Sequence, residues 1–367
     1  MEPELPASLR VLIISGSVGA GHDGAAQELA ARLRLAGVQV DVRDYLLALP
    51  PVCRVVLRDG YTASVARAPS VFEWLFTSIE SQPIVQRLTL AFCRLANHTV
   101  CRWVRHGRYN AVVSTYPLAS QSLGGLKARG KFDCPVITYL TDPAAHRTWV
   151  HPHVDVHLTA TAATAAQGTA DYAVAMHVAG PLVPARFVRP PPATVLRALA
   201  AELALAADRP VGLVVAGSLG LGEVQDTAEH LVREGLSALV LCGHNQRLRV
   251  RLQALPGVTA LGWREDVHHL MHLADVLVHN AGGLSFTEAL VAGLPAVSYR
   301  CIPGHGRANA AVLEQAGLAP WARDETEFGR AVLAQLARGR LAVEHHDPAV
   351  MLLGLLPASP VRAGVAA

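Results

Sequence analysis

The sequence predicts an α/β protein made of two doubly wound, Rossmann-like domains that face each other across a cleft. Apolar runs rich in valine and isoleucine alternate with longer segments of helical periodicity, which is the pattern of βα units around a parallel sheet. The chain has 367 residues, enough for two domains of roughly 150 to 200 residues each. A proline-rich segment, 180–192, interrupts the alternation near the middle of the chain and separates the two domains.

Strands are expected where a short apolar run is bounded by turn residues. The first domain then spans residues 1–182, the linker 183–195 and the second domain 196–345. The tail, 346–367, is rich in proline, alanine and leucine and shows no clear helix returning to the first domain. The expected strands are 9–14, 38–42, 111–114, 135–140, 154–158 and 175–178 in the first domain, and 211–216, 238–242, 258–261, 275–280 and 295–299 in the second.

The composition indicates a globular protein rather than a disordered, secreted or membrane-spanning one. Hydrophobic residues make up 51% and charged residues 17% of the chain, and the net charge of +3 is too small to suggest wholesale nucleic-acid binding. The first residues lack the basic and apolar regions of a secretory signal. The six cysteines have no metal-ligand spacing, which fits reduced thiols in a cytosol. We therefore expect a cytoplasmic protein with neither a metal site nor a nucleic-acid partner.

A glycine-rich loop, 15–24, follows the first expected strand and precedes a helix. Glycines let a ligand approach the backbone, and the N–H groups that open the helix attract negative charge. The spacing matches neither the dinucleotide-binding motif nor a P-loop. His22 stands at the entrance of the helix, where a neutral imidazole can accept a proton near pH 7. The alternative is a structural histidine that hydrogen-bonds to the backbone.

A second glycine loop, 280–289, follows the expected strand 275–280. Gly282 and Gly283 open a helix whose first N–H groups can hold a diphosphate. Glu288 lies one turn further along, where a carboxylate can accept both hydrogens of a ribose diol. The alternative role for Glu288 is stabilisation of the helix N-terminus.

The segment 51–110 is basic and amphipathic, with eight arginines against three acidic residues. Aromatic and aliphatic side chains interleave with the arginines, which is the composition of a helix that lies among lipid headgroups. Nucleic-acid binding is a second use of such a segment, but no recognised reader motif accompanies it. The third interpretation is that the apolar residues, among them Phe72, Trp74 and Phe76, complete the core of the first domain.

Five motifs in order along the chain carry a family resemblance. They are GSxGxGHxxAAxxLAxxL from Gly16, TDxxxHRTWxHP from Thr141, GPLVPARF from Gly180, NAGGLSFTEALxxGLPAV from Asn280 and PGHGRAN from Pro303. This set resembles the family-28 glycosyltransferases. The similarity is greatest to the branch of monogalactosyldiacylglycerol synthases and processive diacylglycerol glucosyltransferases, and more distant to the peptidoglycan GlcNAc-transferase of lipid II synthesis.

The resemblance implies a GT-B fold and an inverting transfer of a hexose from a UDP-sugar to a hydroxyl of a lipid acceptor such as diacylglycerol. The first domain would bind the acceptor and the second the UDP-sugar, a co-substrate rather than a cofactor. His22, or Asp142 acting alone or through it, would remove the acceptor proton. The other residues assigned by motif position are Gly19, Gly21, His146 and Trp149 on the acceptor side, and Gly217, Ser218, Gly243, Arg264, Gly282, Gly283, Leu284, Ser285, Glu288, His305 and Asn309 on the donor side. Among these, Arg264 matches the position whose backbone meets the uracil.

One departure from the family pattern leaves the donor sugar open. Relatives of the galactolipid branch carry Gln-Glu after the Pro-Gly of the last loop, where this chain has His305-Gly306. The family's lipid acceptors, together with the basic segment, imply a peripheral enzyme on an anionic membrane at the inner face of the plasma membrane. Two other functions fit the same fold: a UDP-sugar 2-epimerase with a soluble substrate, and a non-catalytic nucleotide-sugar-binding protein.

Overall fold

The computed structural model describes residues 9–218, 220–342 and 346–356. Over these residues the chain forms two α/β domains, each built on a six-stranded parallel sheet, so the predicted fold class is confirmed. All eleven expected strands form, with ends that differ by at most a few residues. The twelfth strand, Trp321–Ala322, was not predicted because two residues are too few to show a strand pattern.

The first sheet has the order β2-β1-β3-β4-β5-β6. Strand β1, between β2 and β3, is buried on both faces, with Val11 to Ile14 fully inaccessible, as expected for a parallel sheet covered by helices on both sides. The chain returns to the same edge after each strand, so the loops that follow β1, β3 and β4 are neighbours. The strands are β1 (Arg10–Ser15), β2 (Gln39–Asp44), β3 (Ala111–Ser114), β4 (Val136–Leu140), β5 (Val156–Thr159) and β6 (Met176–Val178).

Seven helices of the described residues lie between β1 and the end of the first domain's sheet region. Four of them, α2, α3, α4 and α6, begin at a proline, whose fixed φ and missing N–H suit the first helical position. These prolines divide the segment 51–94 into three successive helices. The helices are α1 (Ala20–Leu35), α2 (Pro51–Arg67), α3 (Pro69–Ser81), α4 (Pro83–Arg94), α5 (Asn97–Gly107), α6 (Pro117–Lys127) and α7 (Ala162–Tyr172).

The second sheet has the order β12-β11-β10-β7-β8-β9. Its strands are β7 (Val211–Val215), β8 (Ser237–Leu241), β9 (Val258–Leu261), β10 (Val276–His279), β11 (Ala296–Tyr299) and β12 (Trp321–Ala322). The expected linker 183–195 is largely part of this domain, because Val183 and Phe187 pack in its core. The helices are α8 (Ala193–Glu202), α9 (Val224–Arg233), α10 (Gln246–Gln253), α11 (Val267–Leu273), α12 (Gly283–Val291), α13 (His305–Gln315) and α14 (Glu325–Arg338).

The start of the tail corrects an expectation. The segment Pro348–Leu355 forms a helix, α15, and it does return to the first domain. Ala349, Leu352 and Leu356 pack into the same core as Leu29 and Leu33 of α1. The helix was missed because its eight residues are apolar nearly all round, so no polar face marks them as helical. The rest of the tail, 357–367, lies outside the described residues.

The basic segment supplies both core and surface. Val100 and Val104 of α5 are buried, and Phe92 and Trp103 pack against the same core. Trp74 is different: it is 59% exposed, so the interpretation of this residue as core is wrong. Exposed apolar residues continue along α2 and α4. Within the described ranges, no helix is both long and apolar enough to cross a bilayer.

Candidate active site

The loops after the carboxyl ends of the two sheets meet at one cleft, the usual location of ligands in open parallel sheets. The two domain edges are in contact. The N-terminus of α12 abuts the first domain so closely that any side chain replacing Gly283 would collide with the carbonyl oxygen of Thr141. Leu284 packs against Gly21 and Gly24 of α1. The two predicted glycine loops, from opposite domains, therefore lie side by side.

His22 lies in the first turn of α1, directly after β1. Its Nδ1 is 2.9 Å from Thr141 Oγ1, and its ring meets Tyr116 edge-on with the centroids 5.2 Å apart. Burial lowers the pKa of His22, and the carboxylates of Asp142 and Asp23 offset part of that change. The imidazole is therefore neutral near pH 7. In the tautomer that donates from Nδ1 to Thr141, Nε2 can accept a proton.

Asp142 follows β4 and is the centre of an ionisable cluster. Its Oδ2 accepts a hydrogen bond of 2.9 Å from Trp149 Nε1 and lies 3.5 Å from His146 Nε2. Burial alone would raise the pKa of Asp142, but the hydrogen bond with His146 and the charges of His22 and His305 hold that pKa well below its usual range. Asp142 is therefore an ionised carboxylate that favours the protonated form of the His22 and His305 imidazoles.

The predicted acceptor-side residues have different surroundings. Trp149 is fully buried, so it does not line the cleft; it positions Asp142 through its indole N–H. This corrects its assignment as an acceptor contact. His146 stands closer to the cleft, with its ring centroid 5.4 Å from that of Phe76 on α3. Gly19 is the N-cap of α1.

His305 brings the second domain into this cluster. It is the first residue of α13, and its ring contacts Phe72 and Phe76 with centroids 5.8 and 6.5 Å apart. Burial lowers the pKa of His305, whereas the charge of Asp142 raises it. The structure therefore places His305, a predicted donor-side residue, beside the ionisable groups of the acceptor side. No spacing in the sequence indicated this proximity.

Glu288 lies on α12, one turn beyond the glycines that open the helix. Among the described residues, no hydrogen bond or ion pair engages its carboxylate. Burial raises the pKa of Glu288 to about 8, and the charge of Arg186 offsets the effect only partly. A half-buried acid without a protein partner is costly to ionise, so it is suited to accept hydrogen bonds from a ligand. Leu284 and Ser285 lie with Gly283 in the first turn of the same helix, whose N–H groups carry the positive end of the helix dipole.

The remaining donor-side loops, after β7 and β8, contact and hydrogen-bond to each other. Gly243 adopts a left-handed φ of 57° and lies so close to the Ser218 carbonyl oxygen that a side chain would not fit. His244 N–H donates to the same oxygen at 2.9 Å, which joins the loop after β7, containing Gly217 and Ser218, to the loop after β8. Arg264, after β9, turns its guanidinium to both oxygens of Asp266 at 2.6 and 2.7 Å. Its side chain is thus already paired within the protein.

An aromatic pair at this edge was not predicted. The rings of His244 and Trp263 stack with centroids 4.6 Å apart and planes 8° from parallel. Trp263 is 52% exposed. An exposed indole beside the backbone of Arg264 offers a flat surface for a planar base. The signal was available: each residue follows the carboxyl end of a strand, β8 or β9, where ligand-binding loops lie.

Asn309 joins the domains rather than lining the cleft. It is 1% exposed; its Oδ1 accepts a hydrogen bond from Ala144 N–H at 2.9 Å, and its Nδ2 donates to Ala281 O at 3.0 Å. Ala281 has a φ of 69°, which is unusual for a residue with a side chain and is stable only when its surroundings hold it. Asn309 therefore helps to hold the strained turn that sets the start of α12.

None of the described side chains forms a group of three or more histidine, cysteine, aspartate or glutamate ligands that would hold a metal ion.

Comparison with known proteins gives two family matches, one in each domain. Residues 22–171 match the model described as monogalactosyldiacylglycerol (MGDG) synthase. Residues 220–338 match the model described as glycosyl transferases group 1.

Curated relatives match most of the chain at low identity. The processive diacylglycerol beta-glucosyltransferase of Bacillus subtilis (strain 168) is 24% identical over 344 residues, which is 89% of this chain and 87% of the relative. The protein of the same name from Bacillus mycoides (strain KBAB4) is 24% identical over 329 residues, which is 87% of this chain and 83% of the relative.

Solved structures share the fold. Acinetobacter baumannii MurG has a TM-score of 0.54 and 17% identity, covering 95% of this chain and 99% of that one. The Streptomyces glycosyltransferase SsfS6, complexed with thymidine diphosphate, has a TM-score of 0.56 and 14% identity with the same coverage. The resemblance expected from the motifs is thus confirmed: the chain has the GT-B fold, and it is similar to monogalactosyldiacylglycerol synthases in its first domain and to group 1 glycosyltransferases in its second.

Proposed function

We propose that this protein is an inverting glycosyltransferase that moves a hexose from a UDP-sugar to a hydroxyl of a membrane lipid such as diacylglycerol. The observation that carries the proposal is the meeting of two kinds of group at one cleft. The first domain supplies ionisable side chains around Asp142, and the second supplies the N-terminus of α12 and Glu288. The names of the curated relatives support a lipid acceptor.

His22 is the general base in this proposal, and Asp142 acts through it. A carboxylate with a pKa well below its usual range is a weak base, whereas a neutral imidazole is poised to take a proton near pH 7. The acceptor hydroxyl gives its proton to His22 Nε2 while its oxygen attacks the anomeric carbon. The bond from that carbon to the diphosphate breaks on the opposite side, and UDP leaves with the electron pair. Asp142 stabilises the imidazolium that forms.

The second domain holds the donor. The ribose diol donates to Glu288, the diphosphate lies against the first turn of α12, and the uracil meets the backbone at Arg264 with Trp263 beneath it. The helix N-terminus stabilises the charge that develops on the diphosphate. No cofactor takes part in this scheme. Trp149 and Asn309 act indirectly, the first by orienting Asp142 and the second by holding the turn before α12.

The acceptor explains the surface of the first domain. Helices α2 to α4 expose apolar residues, and arginines are exposed on α2 and α4, so we place the enzyme on the anionic inner face of the plasma membrane. His305 stands where relatives differ, and we assign it to the hydroxyls of the transferred sugar.

Turnover of UDP-glucose and UDP-galactose with and without diacylglycerol vesicles tests the function. We expect UDP release that requires the lipid, forms a glycolipid and continues in EDTA. A UDP-sugar 2-epimerase would instead consume donor without lipid and form no glycolipid. Binding of UDP without turnover under any condition would indicate a non-catalytic protein.

A further inference from the structure

Helix α3 has two faces with different neighbours. Val71, Trp74 and Leu75 lie on one side of the helix and are 59%, 59% and 44% exposed. At 100° per residue, Phe72, Glu73, Phe76 and Glu80 occupy the opposite side. The first group is the outward face of α3, and the second is its inward face.

The inward face reaches across the cleft to the second domain. Glu73 accepts hydrogen bonds of 2.7 and 2.5 Å at its two oxygens from Arg307 Nη1 on α13. Phe72 and Phe76 pack against Gly304, whose φ of 70° and close approach leave no room for a side chain. The ring of the adjacent His305 contacts both phenylalanines. Helix α3 therefore bridges the two domains at the end of the cleft where α13 begins.

The same face also holds the loop that carries the ionisable cluster. Glu80 Oε1 accepts a hydrogen bond of 2.6 Å from Arg147 N–H, and Glu80 Oε2 accepts one of 2.9 Å from Tyr172 OH. Phe76 contacts His146, which lies beside Asp142. A shift of α3 would therefore disturb the donor domain and the catalytic loop together.

The outward face is suited to an anionic bilayer. An interfacial helix inserts only its apolar face, to a short depth, and the three exposed apolar residues form such a face. Helices α2 and α4, which contact α3, carry exposed cations, and positive charge near the surface favours anionic headgroups. Exposed apolar residues also lie on these two helices: Val52, Val55, Val56, Ile84 and Leu88. Their exposed arginines are Arg58, Arg67, Arg87 and Arg94.

We propose that α3 couples the membrane to the donor site: an anionic bilayer bound to its outward face favours the arrangement in which its inward face holds α13 against the first domain. The inference rests on the proposed function for the identity of the donor nucleotide. In the closed arrangement the first domain covers the start of α12, where we assign the diphosphate, so water is excluded there and UDP binds that arrangement more tightly. Coupling between two binding sites is reciprocal, so a bilayer that stabilises the closed arrangement tightens UDP binding, and UDP tightens bilayer binding by the same factor. An enzyme built this way retains its donor best when it is on the membrane that contains its acceptor.

The test measures UDP affinity by equilibrium dialysis in three conditions: without lipid, with phosphatidylcholine vesicles, and with vesicles of equal parts phosphatidylcholine and phosphatidylglycerol. The vesicles contain no diacylglycerol, and UDP carries no sugar, so no turnover intervenes. We expect UDP to bind roughly fivefold or more tightly on the anionic vesicles only. Cosedimentation measures vesicle binding in parallel.

Glu73→Gln is the decisive variant, and Asp59→Asn is its control. Each removes one negative charge, but Asp59 pairs with its neighbour Arg58 on the same helix, α2. We expect Glu73→Gln to bind vesicles as before and to lose the enhancement of UDP affinity, while Asp59→Asn keeps it. The double variant with the charges exchanged, Glu73→Arg with Arg307→Glu, should restore the enhancement of UDP affinity. It replaces Glu73→Gln as the test if that variant folds poorly.

The outcomes separate the two proposals. If UDP binds and the protein binds anionic vesicles but neither affects the other, the coupling is overturned and the proposed function stands. Failure to bind anionic vesicles also overturns the coupling. If UDP does not bind under any condition, the proposed function itself fails. Loss of the enhancement in Asp59→Asn as well would show that surface charge, not α3, carries it.

Discussion

The cleft edge of the first domain presents ionisable side chains, whereas that of the second domain presents mostly backbone. His22, Asp142 and His146 surround one point of the first edge. At the second edge, the loops after β7 and β8 and the start of α12 offer carbonyl and N–H groups, with Glu288 as the principal carboxylate. A reaction that transfers a group and releases an anionic leaving group needs both: a side chain that can move a proton, and fixed dipoles that stabilise the developing negative charge.

The pKa directions sharpen this contrast. At the first edge, burial would raise the pKa of Asp142, but the hydrogen bond with His146 and the surrounding histidines hold that pKa well below its usual range. At the second edge, burial acts on Glu288 almost alone and raises its pKa to about 8. The protein thus stabilises the ionised form of Asp142 before any ligand binds, whereas the ionised form of Glu288 depends on a ligand for stabilisation. Changes at the first edge should affect turnover, and changes at the second should affect donor affinity.

The largest effect is expected for His22→Ala. Loss of the proposed general base should lower turnover by about 100-fold or more, while UDP affinity changes little because we assign the nucleotide to the other domain. Turnover on diacylglycerol vesicles and UDP dialysis measure the two effects separately. His177→Ala, at an exposed histidine of the first domain, is the control. A variant at position 22 with near wild-type turnover would leave His22 a structural role only.

Glu288→Gln should act mainly on donor binding. Replacing the acceptor of ribose hydroxyls should weaken UDP affinity by roughly 1.5 to 3 kcal/mol, the range for a hydrogen bond to a charged group. Because Glu288 is mostly protonated at pH 7 and ionised when it accepts two hydrogen bonds, UDP-glucose binding should release about one proton. Calorimetry in buffers of different ionisation enthalpy detects this release, which the variant should lack. Equal affinity and proton release in both proteins would rule out the ribose contact.

The same residue predicts a stability profile for the ligand-free protein. A raised carboxyl pKa costs no stability below the ordinary glutamate pKa, an increasing amount above it, and a constant amount beyond about pH 8. Glu288→Gln should therefore raise the thermal midpoint more at pH 8 than at pH 5.

Asp142→Asn should give the smallest loss, about tenfold in turnover, together with a shift in pH dependence. The carboxylate raises the pKa of His22, so its removal lowers that pKa further. Acidification should inactivate the enzyme by protonating His22. In the variant this loss of activity should occur at a lower pH. The pH profile of kcat/KM reports this change. Complete inactivity with no such shift would instead make Asp142 the base.

Much of the fold and part of the site could be predicted from local patterns. Buried parallel strands appear as apolar runs, and in such a fold the loop after each run lies at the ligand edge, so His22, Asp142 and Gly283 could be assigned without coordinates. The contacts between these loops could not, because they depend on how two separately folded domains meet. The ion pair of Glu73 with Arg307 spans 234 residues of sequence, and nothing local to either residue marks it.

Which residues of a motif are buried was equally hard to predict from the sequence. Trp149 stands in a motif that the resemblance assigns to the acceptor side, yet a motif string does not distinguish a residue that contacts a ligand from one that orients its neighbour. Its indole N–H faces Asp142, seven residues earlier, because the chain after β4 folds back in a short 3-10 turn, Arg147–Trp149.

Helix α15 means that the chain passes between the domains twice, once outward at the segment after Gly180 and once on its return at His346. The two passages touch: Gly180, at a φ of 96°, lies against the His346 carbonyl oxygen so closely that no side chain would fit. Arg32 of α1 holds both, donating to Val183 O at 2.5 Å and to Asp347 Oδ1 at 3.0 Å. Two connections held together at one point restrain rotation of the second domain about the line that joins the domains more than a single connection would. The position of His305 relative to the cluster around Asp142 is therefore set by two connections rather than one.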